Sequence, residues 1–309
     1  MKGKKMKYFL VILMAVFSAA SHAETYQFII PNPPGSSSDI VARIIQEEYH
    51  RISKKKLILD HVPGADHVLA ANKFRSQNRL SVILGTTTMH VLNHVYKTDL
   101  SYSDQDFSHV SWVGWGPQVW YVRNDSPLKN LDDLKKMIAS EQKVLIAVDG
   151  MSTQINVMSI QSNMKNGMAA EMVKYKGSPQ ALTDLLGGHV PIGMSSLNEA
   201  IKAQAESGKI RVLGTTTEHP ISLAGQTIPS ASKVWGIPQF NGGFLISVSS
   251  GYGNNPETIQ LKKDLLEAIN SNKTKEKLAS ILIETDGRGE SATTQLLQDY
   301  RKELIKLKK

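Results

Sequence analysis

The chain is predicted to be an α/β protein in two blocks, and three observations lead there. Strand and helix patterns alternate along most of the 309 residues. The alternation runs as two series, with apolar strands near 115–122 and 241–248 linking them, so that the chain crosses between two lobes twice. The length itself, at a prior of about 150 residues per domain, gives two units. Successive strand–helix units of this kind build a parallel sheet with helices on its faces.

The first series opens with a short apolar strand at 26–30 (YQFII). After a Pro/Gly/Ser break, a helix over about 39–52 places Ile40, Val41, Ile44, Ile45 and Tyr49 on one face at helical spacing. A strand at 57–59, a helix at 68–74 and a strand at 80–84 (LSVIL) follow, then a polar turn at 85–88 and a helix near 90–96. The second series begins after 120–122 with a helix at 131–140, a strand at 144–148, a helix at 153–164 and a strand at 173–175. Ser178 as N-cap and Pro179 at the first helical position start a helix to Leu186, which Gly187 and Gly188 stop. A strand at 190–194 precedes the capping box Ser196-Leu197-Asn198-Glu199, whose helix ends at Ser207-Gly208. Strands at 210–213 and 244–248 and helices at 255–270 and 293–307 complete the reading. Lobe 1 is accordingly expected to comprise 24–121 and 244–309, and lobe 2 to comprise 122–243.

Residues 1–23 read as a secretory signal peptide. Lys2, Lys4, Lys5 and Lys7 form a positive start, 8–17 (YFLVILMAVF) is an apolar run, and Ser21-His22-Ala23 offers a small-x-small cleavage site. Ten apolar residues are too few to cross a hydrocarbon core of about 30 Å. The expectation is cleavage after Ala23 and a periplasmic product. With no cysteine in the chain there is no disulfide, thiolate metal site, Cys nucleophile or lipidated Cys. The formal charge of +8 is concentrated at the two ends, and no basic face with a reading motif supports nucleic-acid binding.

Chemistry is expected at the carboxyl ends of the strands, where open α/β sheets bind ligands. Four hydroxyl-rich connections lie there, each leading into a helix: 33–39 (PPGSSSD), 85–88 (GTTT), 149–154 (DGMSTQ) and Ser195-Ser196. Ser and Thr are good N-caps in any helix. Four such helix starts together, two from each lobe, would also offer unpaired N–H groups and partial positive charge to a small anion without any Lys or Arg. The Gly35-Ser36-Ser37-Ser38 run lacks a P-loop Lys, and no G-x-S-x-G elbow occurs. His90 and His94 lie four apart, but two ligands do not make a metal site. Trp112, Trp115 and Trp120 are expected in core or hinge packing.

At these loops the chain resembles the substrate-binding proteins of tripartite tricarboxylate transporters, the Bug family of periplasmic receptors, over about 24–305. The matching segments are 30–43 (IPNPPGSSSDIVAR), Val62-Pro63-Gly64-Ala65, 84–90 (LGTTTMH) with Phe107 and Val110, 175–190 (YKGSPQALTDLLGGHV) and 208–213 (GKIRVL). The resemblance implies two Rossmann-like lobes of the periplasmic-binding-protein type II kind, hinged by two crossing strands and closing on a small carboxylate. It implies binding by Pro34, Gly35, Ser36, Ser37 and Asp39 in the first loop and Thr86, Thr87 and His90 in the second. In the other lobe it implies Met151, Ser152, Thr153, Gln154 and Ser195. Asp39 suits a helix-start cap better than an anion contact. Three departures stand out: Gly35-Ser36 and Asp66-His67 where the family has Gly-Gly, and Ser195 where it commonly has Asp.

The function expected is capture of a small organic mono- or dicarboxylate, without cofactor or metal, by a monomer that serves inner-membrane permease subunits or a sensor kinase. An exported hydrolase-like enzyme using the same cleft, or an interaction protein that kept the fold and lost the ligand, are the alternatives. An enzyme would need a nucleophile, a base and an orienting acid brought together.

Overall fold

A computed structural model describes residues 24–139, 143–162, 170–237 and 239–307. The signal segment and its cleavage site, Ser140, and residues 163–164 of the expected fifth helix lie outside the described residues. Two mixed sheets carry the fold. In the first, β1 (Thr25–Ile30) lies parallel to β2 (Lys56–His61) and to β3 (Ser81–Thr86). Next to β3 runs β12 (Gly242–Ser249), antiparallel both to it and to β4 (Phe107–Gly116), and β13 (Glu284–Thr285) closes the edge. In the second sheet β6 (Val144–Val148) lies parallel to β7 (Ala170–Lys174) and β8 (Ile192–Ser196). Antiparallel to β8 and to β9 (Ile210–Thr215) runs β5 (Gln118–Arg123).

The sequence reading expected parallel sheets; antiparallel pairing enters through β4, β5 and β12 beside the passages between sheets, and through β13 at the edge. The apolar stretch near 115–122 divides at Pro117, with β4 on one side and β5 on the other. Pro has no N–H to give a ladder, so pairing stops there and the chain changes sheet. It returns to the first sheet ahead of β12.

Helices follow the strands largely where the periodicity placed them. Ser36 caps α1 (Ser37–Ser53), accepting from the Asp39 amide at 3.3 Å. After β2 come α2 (Val68–Arg75) and, after β3, a π-helical turn (Thr88–Leu92) that runs into α3 (Asn93–Tyr96). The second sheet carries α4 (Leu131–Ala139), α5 (Met151–Ser162), α6 (Ser178–Leu186) and α7 (Glu199–Glu206). Two caps differ from expectation. Gly177, not Ser178, precedes α6, and α7 is capped by Asn198, whose Oδ1 accepts from the Ile201 amide at 2.9 Å. Ser196 stays in β8 because its amide is taken by Asp149 at 2.9 Å. A hairpin, β10 (Ile221–Leu223) and β11 (Gln226–Ile228), and short α8 (Ala231–Trp235) precede β12. Then α9 (Pro256–Asn270), α10 (Asn272–Ser280) and α11 (Glu290–Leu307) pack about the first sheet.

Strand alternation sorts the cores. Phe28 and Ile30 face α1, whose Val41, Ile45 and Tyr49 cover them, while Ile29 turns to Phe74, Ile83 and Phe107 on the other face. In the second sheet Trp120 and Val122 face α4 and Trp235, and Val119 and Tyr121 face α6. A further apolar cluster joins the two sheets: Val91, Leu92, Trp112, Leu245, Leu297 and Leu304 enclose Ile155 of α5, with Met151 and Phe240 at its edge. Trp112 is fully buried there and packs on Trp115 at 4.6 Å between centroids. Truncating it leaves a large void between elements of both sheets. Trp112→Ala should therefore cost about 3–5 kcal/mol of unfolding free energy in a urea titration.

Candidate functional site

A cavity of about 40 Å3 takes its walls from both sheets. From the first come Asn32, the start of α1 (Ser36, Ser37, Ser38), His67, and the turn after β3 (Thr86, Thr87, Thr88), with Gly242, Gly243 and Phe244 of β12. From the second come Asp149, Gly150 and Ser152 at the start of α5, Ser178 at the start of α6, and Ser196 at the end of β8. Among the described residues, no lysine or arginine lines it.

The hydroxyls share a pattern. Oxygens of Ser36, Thr86, Thr87, Ser152 and Ser178 each accept from a protein N–H: Asp39 N at 3.3 Å, Met89 N at 3.2 Å, Gly243 N at 3.3 Å, Gln118 Nε2 at 2.7 Å and Asn198 Nδ2 at 2.7 Å. A hydroxyl that already accepts has its hydrogen left to donate. In Ser36, Thr87, Ser152 and Ser178 no protein acceptor for that hydrogen is recorded among the described residues; in Thr86 the hydroxyl also meets His67 Nδ1 at 2.7 Å. Ser37 and Ser38 instead spend their hydrogens on Leu197 O at 3.0 Å and Asn32 Oδ1 at 2.7 Å.

The Ser37 bond joins the two sheets, and so do others. Asn198 Nδ2 reaches Gly35 O at 3.5 Å. Gly177 lies so close to the Pro33 ring that an added Cβ would stand 2.8 Å from its Cγ. Behind the cavity, Gln118 and Asn156 tie α5 to both chain crossings. Gln118 Oε1 accepts from Asn156 Nδ2 at 2.6 Å, and Asn156 exchanges bonds with the Phe240 backbone at 2.9 and 2.6 Å.

Of the residues singled out from sequence, Ser36, Ser37, Thr86, Thr87 and Ser152 come together on the cavity wall. The others lie elsewhere. Pro34 and Gly35 are exposed on the rim, and the Gly35 amide donates to Asp39 at 2.9 Å. Asp39 is buried beneath the loop, also bound by Arg43 at 3.0 Å and His61 at 2.7 Å. Burial works to raise its pKa, but Arg43, the Gly35 amide and His61 outweigh it and hold the carboxyl below its usual range. It is a structural anchor for the loop. His90 is fully buried against Gly85, edge-on to Phe107 at 4.6 Å and His109 at 5.3 Å. Burial, with His109 and Arg301 adding to it, drives its pKa well down. Met151 faces the apolar cluster, Thr153 folds back on Gly150 O at 2.7 Å, and Gln154 is buried in the first turn of α5 without lining the cavity. Ser195 points through the sheet to Tyr121 Oη at 3.0 Å. Its neighbour Ser196 faces the cavity because side chains alternate along a strand.

The cavity also contains Ser38, Thr88, Asp149, Gly150 and Ser196, which lie in the loops singled out from sequence without being named as contacts, and Asn32, His67, Ser178 and the Gly242–Phe244 stretch, which lie outside those loops. Asp149 is the most consequential. It is 8% exposed, and Oδ2 accepts from the Ser196 amide. Burial pushes its pKa up to about 6, against the pull of the Ser196 amide and the Thr153 hydroxyl. A carboxyl in this state can be held neutral and donate a hydrogen bond. Among the described residues, no group of three or more His, Cys, Asp or Glu could hold a metal ion, and no helix is long and apolar enough to cross a membrane.

Comparison with known proteins gives this geometry a family. The chain is 26% identical over 309 residues to a UPF0065 protein of Bordetella bronchiseptica, covering 96% of this chain and 90% of that one. Its fold is similar to R. palustris Rpa4515 with adipate, at a TM-score of 0.81 and 20% identity over 93% of this chain and 96% of that one. It is likewise similar to MatC (Rpa3494) from Rhodopseudomonas palustris with bound malate, at 0.79 and 18% over 92% and 99%. The sequence pattern described as "Tripartite tricarboxylate transporter family receptor" matches residues 41–306, and the chain belongs to that family of receptors.

Proposed function

We propose that this receptor captures a small organic mono- or dicarboxylate in the periplasm, between the lobe that carries the first sheet and the lobe that carries the second. It hands the acid unchanged to the permease subunits of a tripartite tricarboxylate transporter. Presentation to a sensor kinase would use the same bound state, and a monomer suffices for either. The observation that carries this reading is the disposition of the hydroxyls: their oxygens are engaged by N–H groups, so their hydrogens suit an anion. The starts of α1, α5 and α6 add the positive ends of their dipoles. That Rpa4515 holds adipate and MatC holds malate supports a carboxylate as the class. Among the described residues no acid pairs with a hydroxyl and an imidazole in the arrangement that a hydrolase needs, and the polar lining suits a ligand site rather than a vestige.

Calorimetry on protein stripped by unfolding and refolding should show one site for at least one two- to six-carbon carboxylate; silence against the whole series would overturn the reading. Thr87→Val and Ser152→Ala should each weaken that binding by about 0.5–1.5 kcal/mol, the scale of one neutral hydrogen bond, with unchanged circular dichroism.

Asp149 gives the pH dependence a sign. Its folded pKa of about 6 lies above the ordinary 3.8, so the folded protein holds this proton more tightly than the unfolded chain does. Stability is unaffected below pH 4 and falls as pH rises from there through about 6. A bound anion favours the neutral carboxyl further. Affinity for carboxylates lacking a hydroxyl or amine should therefore rise as pH is lowered from 8 to 5.5, by up to about tenfold per unit. Asp149→Asn should flatten that profile.

A further inference from the structure

Gly64 and the three residues after it form a left-handed run. The φ values are 131° at Gly64, 49° at Ala65, 52° at Asp66 and 73° at His67. A left-handed backbone is costly for a residue with a Cβ, and such strain persists only where the surroundings over-determine it. Here they do. Asn93 Nδ2 donates to Asp66 O at 2.9 Å, and Lys97 Nζ donates to Ala65 O at 3.3 Å and to the Asp66 carboxylate at 3.1 Å. The His67 amide closes the turn on Gly64 O at 3.0 Å.

The run delivers one side chain to the cavity. His67 is 9% exposed and lines it beside Thr86. We propose that His67 determines which carboxylates the receptor accepts: its imidazole offers an N–H to the anion, and its ring fills space that a longer chain would need. The inference rests on the carboxylate reading given above.

In the proposed site Thr86 fixes the proton's place: its oxygen accepts from the Met89 amide at 3.2 Å, and its hydrogen is given to His67 Nδ1 at 2.7 Å. Nδ1 is then an acceptor, and the ring proton sits on Nε2, which has no other recorded partner among the described residues. Burial keeps the ring neutral, with a pKa lowered to about 4; Asp66 opposes that shift and Lys97 assists it. His67 therefore contributes a neutral donor, in keeping with a wall whose described residues include no cationic side chain.

The test uses the full mature chain and its His67→Gly, His67→Asn and Asp66→Gly variants, with malate and adipate as probes. Glycine and asparagine both tolerate a left-handed backbone, so both His67 variants should fold, as thermal melts would check. Each His67 variant should lose at least tenfold in affinity for malate and raise the adipate-to-malate affinity ratio at least tenfold. Asp66→Gly should leave that ratio unchanged. Imidazole nitrogen shifts in the ligand-free protein should report the Nε2–H tautomer. A merely structural role would weaken both probes equally; an unchanged ratio, or an Nδ1–H tautomer, overturns the proposal. A wild-type chain that binds neither probe nor any shorter carboxylate overturns the carboxylate reading itself, and this inference with it.

Discussion

The site depends on hydrogen bonds that run in one direction. Backbone and amide N–H groups donate to Ser36, Thr86, Thr87, Ser152 and Ser178, and four of those cavity-lining hydroxyls keep a hydrogen that is free to donate. Burying an anion costs several kcal/mol unless its lone pairs are met. A Lys or Arg could meet them, but each would be a buried charge of its own whenever no anion is bound. Oriented hydroxyls and helix starts avoid that, because they are neutral groups that water can satisfy until a guest replaces it.

The same arrangement needs two sheets brought together. Ser37 with Leu197, Asn198 with Gly35, and Pro33 on Gly177 join them at the cavity mouth. At the opposite end, Gln118, Asn156 and the Phe240 backbone hold α5 against both crossings, with the Trp112 cluster packed beside them. The mouth contacts are few and small, while the crossings are buried and cross-linked. Opening at the mouth with the crossings as pivot would therefore disturb the fewest interactions, and a guest would shift that equilibrium only by its differential affinity for the two forms.

Much of this was legible in the residue order, for reasons that also mark where legibility stopped. Strand-to-turn-to-helix transitions are local, so the starts of α1 and α5 and the turn after β3 could be located from periodicity and cap chemistry, and with them Ser36, Ser37, Thr86, Thr87 and Ser152. Ser195 and Ser196 show the limit. Both sit at a strand end, and only the parity of the pleat decides which faces the cavity; an error of one residue sends the side chain to Tyr121 instead. His90 failed for another reason: the turn after β3 winds as a π-helix, and the ring goes beneath Gly85 into the core. Gly242 and Gly243 reach the wall only through β12 pairing with β3 across more than 150 residues of chain, which no local signal encodes. Helix starts were similarly misplaced where a competing partner intervened, since Asp149 takes the Ser196 amide and leaves Asn198 to cap α7.

Asp149 opens a loop singled out from sequence but was not named as a contact, and His67 stood out only as a departure from the resembled family; burial shifts both toward their neutral forms. A carboxylate lining a carboxylate site looks wrong in sequence, yet burial raises Asp149 to about 6 while the same burial lowers His67 to about 4. In each case the low-dielectric surroundings disfavour the charged form, and the two groups move in opposite directions because one is charged by losing a proton and the other by gaining it. Between about pH 4 and 6 both groups are largely neutral, and each can donate: Asp149 through its carboxyl O–H, His67 through Nε2–H. Above that range Asp149 ionises and turns from donor to acceptor, so a guest bearing a hydroxyl or an ammonium group alongside its carboxylate can satisfy both walls at once. Ser195 stands where the resembled family commonly has Asp, and Asp149 supplies a carboxyl from a different strand end of the same sheet. In the proposed site, chemical discrimination thus falls to His67, neutral above about pH 4, and to Asp149, neutral below about pH 6, set into a frame of dipoles.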